Sequence, residues 1–111
     1  MDTFFEGNSV IIVIDTDFEG LDSATLIEIL VTKPSGAVAA WPAEQVDPTE
    51  EIWAELGVTV SDRDITYTTD GDDLDELGTY KIQAHVEWDA GAKELHGRIQ
   101  KFKVVAHLPE P

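Results

Sequence analysis

Three histidines, His85, His96 and His107, are the only imidazoles in the chain. Imidazole is the commonest transition-metal ligand and a frequent general base, so their placement is the first indicator of chemistry. His85 takes the polar phase of an alternating segment, and His96 falls on the segment that follows it. A cross-strand His85–His96 pair with Glu87 or Glu94 has the donor set of a transition-metal site. Solvated strand histidines are far commoner than ligands, however, so no metal and no cofactor is expected here. A second cluster, Asp70-Gly71-Asp72-Asp73-Leu74-Asp75-Glu76, is dense in carboxylates. Ca2+ takes roughly six to eight oxygens, which makes Asp70, Asp72, Asp73 and Asp75 the Ca2+ candidates. Their spacing does not fit an EF-hand loop, and the plainer expectation is a solvated turn whose carboxylates bind backbone donors. The acidic stretch Asp15-Thr16-Asp17-Phe18-Glu19 is read in the same way.

Nothing else in the chain suggests catalysis. Ser9, Ser23, Ser35 and Ser61 occupy turn or strand-edge contexts without a neighbouring His. No glycine-rich loop follows a strand and opens a helix, as phosphate binding requires. The absence of Cys excludes disulfides, thiolate metal sites and thiol nucleophiles. The expectation is a protein that is not an enzyme.

These residues have to be positioned by a chain of 111 residues with 23 acids and 7 bases, a net charge of −16. Hydrophobic residues make up 42%, enough to offset the entropy of ordering a single domain. The expected domain covers 1–111, with 1–8 and 108–111 as extended tails. The charge repels nucleic-acid backbones and anionic membranes, so neither is an expected partner. The acidic N-terminus lacks the basic region of a signal peptide, and the longest apolar run, Val10–Ile14, is far short of a membrane span. Residues 1–80 hold 19 acids and 2 bases, whereas residues 81–111 hold 4 acids and 5 bases. Positive charge therefore concentrates at the C-terminal end.

The clearest element is Thr79–Trp88, where Tyr80, Ile82, Ala84, Val86 and Trp88 alternate with polar residues. Period 2 predicts a half-buried strand. Leu95–Ala106 returns as its partner, and its alternation slips between Ile99 and Phe102, which predicts a bulge near Gln100-Lys101. Ser9–Asp15 is a β-branched run typical of a strand covered on both faces. Thr25–Thr32 predicts a strand with Ile27, Ile29 and Val31 on one face. Pro34-Ser35-Gly36 then predicts a turn into Ala37–Trp41. Asp64–Thr69 predicts a further strand, with Val58–Val60 as a candidate partner. Asp47-Pro48-Thr49-Glu50 reads as a helix start and Gly57 as a stop, predicting a short helical insertion at Pro48–Leu56. About seven short strands and one insertion predict an all-β antiparallel sandwich or small barrel.

Glu76-Leu77-Gly78-Thr79-Tyr80 resembles the acid-x-Gly-x-Tyr corner of immunoglobulin-like domains, in which the tyrosine hydroxyl bonds upstream backbone. Where an antibody domain has Cys two residues later, Ile82 stands here. Together with strand count and order, the corner makes an immunoglobulin-like β-sandwich the expected fold, with Glu76, Gly78 and Tyr80 as its structural corner.

A wider resemblance follows from the order of short motifs: Leu21-Asp22-Ser23-Ala24-Thr25, Lys33-Pro34-Ser35-Gly36, Ile65-Thr66-Tyr67-Thr68-Thr69, Asp73-Leu74-Asp75, Gly78-Thr79-Tyr80, Gln83-Ala84-His85-Val86 and His96-Gly97. Over roughly Ser9–Val104 this resembles small immunoglobulin-like bacteriophage virion proteins, similar to the N-terminal domain of phage baseplate upper proteins. The helical insertion and the high acidity depart from that pattern. The resemblance implies a non-enzymatic structural protein of a tail, baseplate, neck or fibre attachment. It also implies other virion proteins and copies of itself in a symmetric assembly as partners, and a place in the virion after assembly in the host cytoplasm.

The basic residues of the C-terminal strands, Lys93, Arg98, Lys101 and Lys103, are the interface candidates, joined by Trp53 on the insertion because Trp is a frequent interface anchor, with a core position as the equal alternative for Trp53. The alternative function is a carbohydrate- or host-surface-binding β-sandwich module, with Ca2+ as a stabilising ion. That reading requires an exposed aromatic platform built from Trp41, Trp53 or Trp88.

Overall fold

Two β-sheets face one another, and their inner faces carry the apolar residues that the alternation marks. The structure, a computed structural model, describes residues 2–108. Its strands are β1 (Asp2–Phe5), β2 (Ile11–Asp15), β3 (Leu26–Thr32), β4 (Val38–Pro42), β5 (Glu44–Gln45), β6 (Asp64–Thr68), β7 (Gly78–Trp88), β8 (Lys93–His96) and β9 (Gln100–Val105). One helix, α1 (Glu51–Glu55), lies between β5 and β6. The large sheet has the order β1-β9-β7-β3-β4, with β8 also paired to β7, and the small sheet has the order β2-β6-β5. The chain is an all-β sandwich with one short helix, and this strand order is that of an immunoglobulin-like arrangement.

The core is built by the inward phase of each strand. Ile29 and Val31 of β3, Trp41 of β4, Tyr80, Ile82, Ala84, Val86 and Trp88 of β7, and Phe102 and Val104 of β9 meet Ile12, Ile14 and Ile65 of the small sheet. Tyr80 stacks on Phe102 with ring centroids 5.1 Å apart, and Trp41 stacks on Tyr67 at 5.2 Å. At the corner, the Glu76 amide donates to the Tyr80 hydroxyl over 3.0 Å, as the motif predicts. Ile82, in the place of a disulfide cysteine, is buried in the same cluster. Burying such a side chain contributes about 1.5–3 kcal/mol, comparable with a disulfide's ~2–4 kcal/mol.

Several expectations are corrected by the structure. The N-terminal segment is not a tail along its length. β1 pairs in parallel with β9, which makes the large sheet mixed, and Phe4 packs edge-on against Phe102. Residues 109–111 of the expected C-terminal tail lie outside the described residues, and Leu108 is exposed. β2 is covered on one face only: Ile12 and Ile14 are buried, while Ile11 is exposed. Val58–Val60 forms no strand, and β6 pairs instead with β2 and β5. The helix begins at Glu51, not Pro48, because the Asp47 carboxylate accepts from the Thr49 amide and hydroxyl and closes a separate turn before it. The bulge falls earlier than Gln100. The β7–β8 register pairs His85 with His96, and the β7–β9 register pairs Ile82 with Gln100. One extra residue is therefore accommodated at Gly97–Ile99, where the Gly97 amide still reaches the Ala84 carbonyl.

Candidate functional site

The outward phase of the large sheet forms a graded face. At one end Lys101 stands opposite Lys81, with Lys103 opposite Thr79. In the middle, Leu30 lies between Gln83 and Ala40, and Val38 and Ile99 border a shallow groove. Val38 is 80% and Ile99 60% exposed, unusually high for large apolar residues in one patch. At the far end the register aligns His96, His85, Glu28 and Pro42 across four strands, with Glu94 opposite Glu87 beyond them. Cations, apolar surface and a histidine–carboxylate cluster thus follow one another along a single sheet face.

The interface candidates separate in this geometry. Lys101 and Lys103 share the outer face, where Lys81 joins them. Lys93 takes the opposite phase and lies over the Trp88 ring, 4.8 Å from its centroid, so it does not belong to this face. Arg98 is exposed on the bulge. Trp53 is only 6% exposed, so of its two expected placements the structure shows the buried one: α1 turns it inward while Ile52 and Leu56 stay exposed. Trp41 and Trp88 are buried as well, so the described residues present no indole platform for a carbohydrate.

Four of the five carboxylates of the Asp70–Glu76 loop have protein partners: Asp70 and Asp73 on the loop and Tyr67, and Asp75 and Glu76 on the Lys33–Ser35 turn. Asp70 accepts from the Asp72 and Asp73 amides, and Asp73 accepts from the Asp70 amide and the Tyr67 hydroxyl. Burial and the Asp73 bond push the Tyr67 phenol up to about 12, which keeps it a donor. Asp75 pairs with Lys33 at 2.7 Å, and Glu76 accepts from the Ser35 amide. In the Asp15–Glu19 stretch, Arg63 reaches Asp17 and Glu19. In both clusters carboxylates take backbone donors, as the plainer expectation has it, and the ion pairs to Lys33 and Arg63 are additional to it.

The histidine cluster is more organised. His85 sits on the outward phase, as the alternation predicts, yet it is only 8% exposed, because β3 and β8 flank it and the His96 ring stacks on it at 4.6 Å. Its Nδ1 lies 2.8 Å from Glu28 Oε1. Its Nε2 lies 3.2 Å from Glu94 Oε1 and 3.5 Å from Glu87 Oε2 without hydrogen-bond alignment, and is buried without a partner. His96 Nε2 is 3.4 Å from the same Glu94 oxygen. Burial pulls the His85 pKa down, but the Glu28 hydrogen bond and the nearby Glu28 and Glu94 charges outweigh it and hold the pKa above the ordinary imidazole value. His107 stands apart, exposed beside the Leu108 carbonyl. Sequence reasoning anticipated the His85–His96 pair but missed Glu28. The signal was its polar phase between Ile27 and Ile29, which becomes informative only once β3 is known to pair with β7. The chain matches no protein-family model, no curated protein and no solved structure.

Proposed function

We propose that the chain is a non-enzymatic structural module of a bacteriophage virion, packing through the outer face of its large sheet against a second copy of itself. The motif order and the immunoglobulin-like strand arrangement support the virion reading. The graded face supports the mode of assembly, and one observation carries it. Lys81, Lys101 and Lys103 stand at one end of an exposed apolar patch, and Glu28, Glu87 and Glu94 at the other. A two-fold axis through the patch places each end of one copy on the opposite end of the next, which is the self-complementarity an isologous interface requires. Apolar burial supplies affinity, and the charged ends supply register and steering. The buried indoles weigh against the carbohydrate-binding alternative.

Sedimentation with a chelator present tests the assembly. The wild-type chain is expected to self-associate. K101E/K103E and E87K/E94K are each expected to stay monomeric and to associate when mixed, because the reversed ends then match. A wild-type chain that stays monomeric at every concentration, or a mixture that does not associate, overturns the face-to-face reading. Mass spectrometry of purified particles tests the location separately: the chain is expected among the tail or baseplate proteins, and its absence from particles overturns the virion reading.

A further inference from the structure

We propose that His85, His96 and Glu94 form a binding site for a divalent first-row transition-metal ion, with Glu28 as the positioning residue for His85. This site goes beyond the assembly reading and does not depend on it. Neighbouring ligand atoms around a tetrahedral Zn2+ lie about 3.3 Å apart, given metal–ligand distances near 2.0–2.1 Å. Glu94 Oε1 is 3.2 Å from His85 Nε2 and 3.4 Å from His96 Nε2, so each imidazole already stands at ligand–ligand spacing from the shared carboxylate. All three donor atoms lie within 4.8 Å of one another. Glu87 Oε2 lies 3.5 Å from His85 Nε2 but outside this three-residue group, so water is left to complete the coordination.

Two independent observations point to an ion, beyond a chance meeting of side chains. First, His85 Nε2 is buried and has no hydrogen-bond partner, an unusual state for an interior polar atom. Second, Glu28 faces the other ring nitrogen at 2.8 Å. A carboxylate there holds the proton on Nδ1 and leaves the Nε2 lone pair free for an ion, the second-shell arrangement of metal-bound histidines. Two imidazoles with carboxylates suit Zn2+, Co2+ or Ni2+ and disfavour Ca2+ and Mg2+, which take oxygen ligands. The cluster bridges β7 and β8 just before the Gly97–Ile99 bulge, so an ion there cross-links the two strands.

Calorimetric titration of the untagged, metal-free chain with ZnCl2, together with Co2+ absorption spectroscopy, tests the site. The expected result is one ion per chain, a visible Co2+ band of tetrahedral intensity, and a higher melting temperature with Zn2+. H96A and E94Q, at positions exposed enough to leave the fold intact by circular dichroism, are expected to bind roughly 100-fold more weakly, and E28Q about 10–100-fold more weakly. D70N/D72N is expected to bind as the wild type does, and K101E/K103E to keep the metal whatever its assembly state. The proposal is overturned by an absence of saturable Zn2+ binding, by equal affinity in H96A, or by Ca2+ competing at equal concentration. The first of these outcomes assigns the cluster to a proton held between His85 and its carboxylates.

Discussion

The Tyr80 hydroxyl accepts the Glu76 amide over 3.0 Å, closing the loop that leads into β7. The ring is fully buried and stacked on Phe102, so phenylalanine retains the packing and loses only the acceptor. The Glu76 amide is then left without its partner, which costs about 1–3 kcal/mol. Tyr80→Phe is therefore expected to lower Tm by roughly 4 °C per kcal/mol in a domain of this size, as read by a thermal melt. An unchanged Tm would mean that the corner bond contributes nothing net.

Gly78 belongs to the same corner for a different reason. Its φ is +124°, and a Cβ there meets Pro34 Cβ at 3.0 Å and Cγ at 3.1 Å. Backbone strain and contact with a rigid ring act together, and each opposes a side chain. Gly78→Ala is expected to cost about 1–3 kcal/mol, with circular dichroism unchanged below the melt. Pairing it with Pro34→Ala removes the Cγ contact and keeps the Cβ one, so it is expected to recover only part of the contact cost and none of the backbone cost, a division that a double-mutant cycle measures.

Local signals carried much of this fold. The β7 alternation needed only the pleat, and the Lys33–Gly36 turn closes as its residues predict, the Gly36 amide reaching the Lys33 carbonyl. Other features depended on partners distant in the chain. β1 is only four residues long and is defined by its parallel neighbour β9, which leaves no periodic trace. His85 was placed on the correct sheet face, but its burial arises from Glu28 and His96 on two other strands. Trp53 was ambiguous because a helix of five residues is too short to display a hydrophobic stripe. The polar half of the graded face was legible as charge, whereas its apolar centre required knowing that Leu30 and Val38 share a face with Ile99.

Asp64 and Asp15 are register partners across β2 and β6, and Asp64 is buried. Burial raises the Asp64 pKa, the Ser61 amide lowers it, and the Asp15 charge raises it again, leaving it above the ordinary carboxylate value. A raised folded pKa means that the native state holds this proton more tightly than the unfolded chain does. Stability from the site is thus complete below the unfolded pKa and is lost as pH rises through the folded one. Asp64→Asn keeps an acceptor for Ser61 and is expected to raise Tm at pH 7 and to reduce the gain on mild acidification. Glu55→Gln removes the same charge from an exposed position, so an equal effect there would assign the change to net charge alone.

Lys33 and Asp75 work in the opposite sense. The hydrogen bond from Lys33 holds the Asp75 carboxyl below its ordinary value, and the same bond raises the Lys33 pKa. A depressed folded pKa contributes stability above the unfolded carboxylate pKa, and that stability is lost as pH falls through the folded value. Asp75→Asn is expected to flatten the acid limb of the Tm–pH curve while leaving the Asp64 slope intact. Because Asp75 is largely exposed, high salt is expected to shrink the wild-type difference towards the variant. An acid limb of unchanged steepness in the variant would remove the ion pair from the account.

Ile82 is the position at which this sandwich does without a disulfide. It is 5% exposed and lies in the cluster formed by both sheets, two residues after the corner tyrosine. Its packing therefore connects the large sheet to the small one with no covalent reinforcement. Truncation removes apolar contacts and leaves a cavity that strands on both sides cannot readily close. Ile82→Ala is expected to cost about 2–5 kcal/mol, and Ile82→Val about 0.5–1.5 kcal/mol. Ile11→Ala, on the exposed phase of β2, is expected to change stability by less than about 0.5 kcal/mol. Chemical denaturation of the three variants measures the order, and a cost at Ile82 no greater than at Ile11 would mean that the two sheets are not held together at this point.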